Sequence, residues 1–468
     1  MIEIKTRNEH QNMRVVFASC SEDPWIDEIP ADIYKASQNL GFEFVFIGAS
    51  KKNSHPEYTF VNLNKIEKNR IFTNICKFVK HDINGIEEQK QFDYEYYKIR
   101  DPHKSINLHY IEKNLIKWFN EAIVLYKIIQ PDIVIIWNGK LAKRSMFLKA
   151  AQYLNITVFY AEKGMLPNSW YIDPYGINAE STLVKEADIV KGKKDNKKRI
   201  NSKDRKIELE SIFNQNEGES AWEQPEHQNR SQLIEKYNID IKKKIILFPG
   251  QVDNDTNILL YSPHFSNCAQ VLNLLARELP EDEFFILAKP HPKGNLTKND
   301  FQQIIGPLGV AVDEINIIDA ISICDCVVTI NSTVAFEASI RGKPVLLLGK
   351  GVLSNQNFIT KYKSGKSIFT QIVDCIQEHE YQKEDKQNES LNFGSELKNQ
   401  YYLFKNDEKK VIKCIKEKIY DDENSRKKDF SIEELYQLFN NNNNLNGSIL
   451  LKYAFCELFS SNFKILKI

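Results

Sequence analysis

Short apolar runs alternate with longer stretches of helical spacing along the first third of the chain. Arg14-Val15-Val16-Phe17-Ala18 is a strand-length run that ends in a Ser19-Cys20-Ser21 turn. Residues 31–40 carry helical spacing, and residues 42–47 form a second strand that stops at Gly48. Apolar positions over 110–129 repeat with helical period until Pro131 breaks the pattern. Residues 133–137 and 157–160 then read as strands on either side of a helix over 143–154. Strands alternating with helices predict a parallel sheet covered on both faces.

The pattern stops and restarts. Residues 185–206 are rich in Lys and Arg with almost no apolar period, and a polar stretch with one helix over 231–237 continues to about Lys244. The excess of positive charge reads as a solvated face, with an anionic surface or substrate as the alternative. Strands follow at 244–248, 284–288, 326–330 and 344–348. Ser262-Pro263 fits a helix start, a capping Ser before a Pro at the first helical position, with the helix running to Glu278. Asn331-Ser332-Thr333 fits an N-cap, and Gly342 a helix stop. The chain thus divides into a Rossmann-like domain over 1–184, a charged linker over 185–243, a second Rossmann-like domain over 244–376 and a polar, helical C-terminal extension over 377–468. The fold class expected is α/β, with the two domains facing a cleft. In the extension, 440–444 is a run of Asn, and 448–468 is an apolar and basic segment that packs on the body or touches a bilayer surface.

Composition narrows the function classes. The 468 residues balance 63 Lys+Arg against 63 Asp+Glu, so the basic footprint of a nucleic-acid binder is missing and no nucleic-acid partner is expected. Apolar residues at 42% and charged residues at 27% suit a globular chain. No apolar run reaches the 18 or so residues of a membrane span, and the N-terminus has no signal-like apolar core; a cytoplasmic location is expected. The 8 cysteines form no CxxC, so they read as reduced thiols rather than metal ligands or disulfides.

Four polar loops follow strands, where open α/β sheets bind ligands. Glu162, after the strand at 157–160, is placed either to act as a base or to pair with Lys163 or cap a turn. In Gln251-Val252-Asp253-Asn254-Asp255-Thr256, two carboxylates suit glycosyl transfer as base or nucleophile, or simply an Asx-rich turn. Lys289-Pro290-His291-Pro292 presents a His on stiff backbone beside a Lys, which suits a phosphodiester. Asn331, Ser332 and Thr333 open a helix whose free amides suit an anion, with Glu337 one turn on as a partner for a ribose diol; capping alone is the alternative for Ser332 and Thr333.

Trp137-Asn138-Gly139, Glu162-x-Gly164-x-x-Pro167, Asp173-x-x-Gly176-x-Asn178, Gln251-x-x-x-Asp255-Thr256, Lys289-Pro290-His291-Pro292 and Ser332-x-x-x-Phe336-Glu337-Ala338-x-x-x-Gly342-Lys343-Pro344 occur in that order. Over roughly residues 13–350 this set resembles the bacterial capsule-polysaccharide β-Kdo glycosyltransferases, where Kdo is 3-deoxy-D-manno-oct-2-ulosonic acid. Lys163 departs from the pattern, standing where an uncharged residue is expected. The resemblance implies a GT-B-type enzyme that takes Kdo from CMP-Kdo and gives a β-linked product on a glycan or glycolipid acceptor, at the cytoplasmic face of the inner membrane. It implies Asp255 as nucleophile, with Asp253 the alternative, and Glu162 as base on an acceptor-side first domain. CMP would be held by Gln251, Lys289, His291, Asn331, Ser332, Thr333 and Glu337, with no metal and no cofactor beyond the donor. The rival readings are an inverting enzyme similar to CMP-sialyltransferases and a non-catalytic polysaccharide-binding or export factor.

Overall fold

A computed structural model of the chain describes residues 13–21, 26–49, 58–78, 81–185, 201–214, 225–404 and 407–416. The strands, in chain order, are β1 (Arg14–Ala18), β2 (Glu43–Gly48), β3 (Thr59–Asn62), β4 (Ile133–Trp137), β5 (Thr157–Lys163), β6 (Ser169–Asp173), β7 (Lys244–Pro249), β8 (Phe284–Lys289), β9 (Gly309–Ala311), β10 (Cys326–Thr329), β11 (Val345–Leu347), β12 (Thr360–Lys361) and β13 (Leu403–Phe404). They form two sheets, ordered β13-β6-β5-β4-β1-β2-β3 and β12-β11-β10-β7-β8-β9.

Counted from its own first strand, each sheet has the order 3-2-1-4-5-6 of a doubly wound Rossmann fold, extended in the first sheet by β13 beside its sixth strand, and the direction of winding reverses between the first and fourth strands. In the first lobe this switch point lies between β1 and β4, paired in parallel with Val15 opposite Ile133. In the second it lies between β7 and β10, with Cys326 opposite Ile246. The strands beside both switch points are the continuous apolar runs of the sequence. All five residues of β1 and of β4 are buried, as covering helices on both faces require. Each such Val, Ile or Phe contributes about 1.5–3 kcal/mol by leaving water. The fold is therefore α/β with two Rossmann-like lobes, the GT-B arrangement, and the described residues after the second sheet are mostly helical.

Several boundaries differ from the sequence reading, each for a local reason. β5 does not end at residue 160. It continues to Lys163 because β6 returns antiparallel beside it, with Tyr160 opposite Asp173 and Glu162 opposite Tyr171. The single helix expected from Ser262-Pro263 is two. Asp255 caps a short helix, Thr256–Tyr261, by accepting from Asn257 N, and Asn267 caps a second, Cys268–Glu278, by accepting from Gln270 N. Pro263 lies in the break between them, where the Ser262 hydroxyl turns to the Phe265 carbonyl. Similarly, Thr333 is the N-cap of the helix Val334–Ile340 without a side-chain capping bond; Ser332 Oγ accepts from Val334 N instead.

The chain between the sheets includes a helix at Ser202–Asn214, and the chain after the second sheet one at Lys383–Glu396. These two cross closely on the second lobe. A Cβ at Gly394 would lie 2.7 Å from Leu209 Cδ1 and 2.9 Å from Phe336 Cζ, so a larger residue would push those side chains out of the crossing. Beyond it the chain returns to the first lobe. Leu403 of β13 pairs with Trp170 of β6, and Tyr401 donates its hydroxyl proton to Asp173 at 2.6 Å. One apolar cluster consequently contains Leu166 and Tyr171 of the first lobe, Leu247 and Phe336 of the second, and Leu391 and Tyr402 of the returning chain. The segments 440–444 and 448–468 lie outside the described residues.

Candidate active site

The two lobes meet at the carboxyl ends of their central strands, around a cleft of about 250 Å³. The first lobe contributes Asn138, Glu162, Lys163 and Asn178 to its walls, and the second contributes Asp255, Thr256, Asn257, Asn331, Ser332 and Thr333. Glu162 and Asp255 thus line one space from opposite sides.

Glu162 stands near the end of β5, fixed at both oxygens. Oε2 accepts from Asn138 Nδ2 at 2.6 Å, and Oε1 accepts from Lys163 N at 2.9 Å. Asn138 can reach it because the residue after β4 turns with φ 63°, and its own N–H bonds to Ala161 O at 2.8 Å. Burial raises the Glu162 carboxyl above the ordinary range, the two hydrogen bonds and Arg144 oppose the rise, and the Asp255 charge adds to it. The two carboxylates therefore feel one another.

Asp255 Oδ1 accepts from Asn257 N at 2.7 Å. Its side chain is open to the water of the cleft, yet both lobes crowd round it and displace bulk solvent, and this loss raises its carboxyl. Asp253, two residues earlier, is placed differently. It is buried, and Oδ1 accepts from Cys268 N at 2.8 Å, so it holds the start of the next helix. Of the two carboxylates in this loop, Asp255 is the one on the cleft.

Gln251 joins the loops on either side of the second switch point. Its Oε1 accepts from Asn331 N at 3.1 Å and from Thr329 Oγ1 at 3.2 Å, while Nε2 donates to Asn331 Oδ1 at 3.0 Å. Asn331 Nδ2 in turn donates to Asn257 O at 2.8 Å and Lys350 O at 3.2 Å. This network fixes the backbone from which Asn331, Ser332 and Thr333 reach the cleft.

Lys289, His291 and Glu337 are not on the cleft wall. The Lys289 ammonium is buried and donates to Asp313 O at 3.1 Å, and burial lowers its pKa. His291 lies in the adjoining loop, where a Cβ on Gly250 would come within 3.0 Å of its backbone N. His291 Nδ1 accepts from Lys293 N at 3.0 Å, which leaves the proton of the neutral ring on Nε2; burial and the Lys289 and Lys293 charges hold its pKa down. Glu337 is buried 3.4 Å from Arg341 and its carboxyl is raised by burial. Arg341 lies over Phe213 of the crossing helix.

Sequence reasoning did not assign roles to Asn138 and Asn178, although both stood in the ordered motifs; the first orients Glu162 and both line the cleft. Asp173 in the same motifs organises its own loop, accepting from Tyr175 N, Gly176 N and Thr182 N.

Comparison with known proteins finds a family model that matches part of the chain. Residues 196–362 match the model described as capsule polysaccharide biosynthesis protein. Protein FixF of Sinorhizobium fredii is 26% identical over 234 residues, 49% of this chain and 51% of FixF. The capsule polysaccharide modification protein LipA of Neisseria meningitidis is 28% identical over 131 residues, 25% of this chain and 18% of LipA. The chain thus spans about half the length of the first relative and less than a fifth of the second. Among solved structures, the Thermosulfurimonas dismutans KpsC beta Kdo 2,7 transferase matches with a TM-score of 0.36 and 19% identity, over 60% of this chain and 85% of that one. The family match covers the chain between the sheets and most of the second lobe, and agrees with the capsule-polysaccharide resemblance carried by the motifs.

Proposed function

We propose that this chain, a relative of the capsule polysaccharide biosynthesis proteins, is a glycosyltransferase that moves Kdo from CMP-Kdo to a glycan or glycolipid acceptor with retention of configuration. The observation that carries the reading is the pair Glu162 and Asp255, lining one cleft from opposite lobes. An inverting transfer from a nucleotide donor needs one carboxylate, as base on the acceptor; a second carboxylate on the same cleft can serve as the nucleophile of a double displacement.

In this scheme an Asp255 oxygen attacks the anomeric carbon of Kdo, the bond to the phosphate oxygen breaks, and CMP leaves with that electron pair. The second lobe holds CMP, with Asn331, Ser332 and Thr333 at the cleft and the His291 loop behind it. Glu162 then takes the proton of an acceptor hydroxyl, whose oxygen attacks the same carbon and releases the Asp255 carboxylate. A Glu with its pKa raised by burial is a stronger base than one in water, as this step needs. Asn138 keeps it in place.

Intact-mass spectrometry after mixing with CMP-Kdo separates the two carboxylates. Asp255→Ala should show neither transfer nor a sugar adduct. Glu162→Gln should accumulate the adduct, because the first step needs no acceptor activation. An adduct on another residue, or an α-linked product, would overturn the scheme. CMP should raise the melting temperature more than UDP, GDP or ADP, by about 2.7 kcal/mol of stabilisation at one hundred times its Kd.

A further inference from the structure

The family match ends at residue 362, yet the chain beyond it returns to back the first-lobe wall of the cleft. After the helix Lys383–Glu396 the backbone makes a π-turn, Leu397–Tyr401, and runs into β13. Turns of this width are rare and occur frequently at functional sites. Lys410, in the helix Glu408–Ile415, donates to the carbonyls of Lys398 and Tyr402 and so fastens the turn at both ends. Two successive tyrosines, Tyr401 and Tyr402, are thereby set against the first lobe.

Each supports a different part of the wall. The Tyr401 hydroxyl donates at 2.6 Å to Asp173 Oδ2, which also accepts from Thr182 N at 2.8 Å. Oδ1 of this buried carboxylate accepts from Tyr175 N at 2.8 Å and from Gly176 N at 3.1 Å. Between those anchors lies Asn178, which lines the cleft with a φ of 52° and donates its N–H to the Tyr171 hydroxyl at 2.9 Å. Tyr402 is buried against Gly164, where a Cβ would lie 3.1 Å from two atoms of its ring. Gly164 follows Glu162 by two residues and lines the cleft with it.

Tyr171 joins the two supports. It stands opposite Glu162 in the ladder of β5 and β6. Its ring centroid is 5.3 Å from that of Tyr401 and 5.8 Å from that of Tyr402, within the range of favourable aromatic pairs. Because β6 lies between β5 and β13, the returning chain bears on Glu162 through it.

We propose that Tyr401 and Tyr402 are positioning residues for Glu162, holding the end of β5 and the Asn178 loop in the geometry that proton transfer needs. Neither lines the cleft itself. The proposal rests on the glycosyltransferase reading above and deepens it, by making a segment outside the family match necessary for the step that Glu162 assists. The demand is strict, since a misplacement of about 1 Å can cost about 100-fold in rate.

The test mixes the full chain with CMP-Kdo alone, so that water takes the place of the acceptor. Its oxygen attacks the anomeric carbon of the adduct, Glu162 takes its proton, and the bond to Asp255 breaks with the electron pair returning to the carboxylate. Tyr401→Phe removes one hydroxyl, and Tyr402→Leu removes the ring behind Gly164. Each should slow steady CMP release by about tenfold or more. The fraction of chain carrying the sugar adduct, read by intact-mass spectrometry, should rise towards that of Glu162→Gln. A loss of structure alone would instead lower release and adduct together. Combined with Glu162→Gln, neither variant should slow release further. If Tyr402→Leu does not fold, Tyr401→Phe decides. Release within about twofold of wild type, or adduct that falls along with release, would overturn the proposal. If Glu162→Gln itself forms no adduct, the double-displacement reading fails instead, and hydrogen–deuterium exchange over residues 160–164 and 174–182 decides this one. Exchange about tenfold faster in the variants upholds the positioning role, and exchange within about twofold of wild type overturns it.

Discussion

Removing the Gln251 side chain offers the most direct measure of how the second lobe holds its part of the cleft. Gln251→Ala deletes three hydrogen bonds of ordinary length, 3.0, 3.1 and 3.2 Å. Each contributes about 0.5–1.5 kcal/mol net. The Thr329 hydroxyl belongs at the upper end, because Thr329 is fully buried and water cannot replace the lost acceptor. Asn331 is half-buried and recovers some solvent, so its two bonds belong lower. The total is about 2–4 kcal/mol, which corresponds to a roughly 30- to 700-fold larger opening equilibrium at about 1.4 kcal/mol per decade. Hydrogen–deuterium exchange in peptides covering β7 and β10 would read it locally. Gln251→Glu gives a sharper control. Its carboxylate keeps acceptors for Asn331 N and Thr329 Oγ1 but opposes Asn331 Oδ1, and the Asn331 amide is held against flipping by Asn257 O and Lys350 O. It should be impaired at neutral pH and improve as the pH falls, when the protonated acid donates to that oxygen. Exchange within about twofold of wild type for Gln251→Ala, or a Gln251→Glu variant with no pH response, would refute the clamp.

Two further outcomes follow from particular contacts. Gly250→Ala places a Cβ 3.0 Å from His291 N and 3.1 Å from Lys289 O, backbone atoms that cannot rotate away, so it should lower stability by about 1–3 kcal/mol and weaken CMP binding in a melting assay. Glu121 is buried with its carboxyl pushed up to about 7, mainly by desolvation. Its stabilising, protonated form is fully present below the unfolded value of about 4.3 and is lost as the pH rises through about 7, so Glu121→Gln should gain on wild type across that window by up to about 3 kcal/mol in urea unfolding; a constant difference would contradict the shift.

The central strands were legible because burial on both faces leaves an apolar run with no competing pattern. β6 was not, since Ser169 and Asp173 flank its apolar residues and its place is set by the antiparallel return beside β5. The two-residue β13 carries no period at all; its pairing with Trp170 is a tertiary fact. At the site, polar residues after strands located Glu162, Asp255 and the 331–333 loop on one cleft. The same rule could not separate those from Lys289 and Glu337, whose partners, Asp313 O and Arg341, become visible only when helices and loops are packed. Nor could the Ser262-Pro263 signal reveal its error, because Asn267 is an equally good cap five residues later.

The return of the chain from the second lobe to the first changes the mechanics of the molecule. Two bodies joined by one strand of polypeptide can swing and twist about every axis. Here the backbone passes between the sheets twice, once between β6 and β7 and once between β12 and β13. The second passage is pinned at Gly394 on one lobe and at Tyr401 and Leu403 on the other. Two separated attachments leave chiefly one rotation, about the line that joins them. Any opening of the cleft would then follow a single coordinate, and each return of Asp255 towards Glu162 would retrace the same arc. Severing the chain after the second sheet would leave Asn138 and Glu162 covalently intact on the first lobe while removing the second fulcrum.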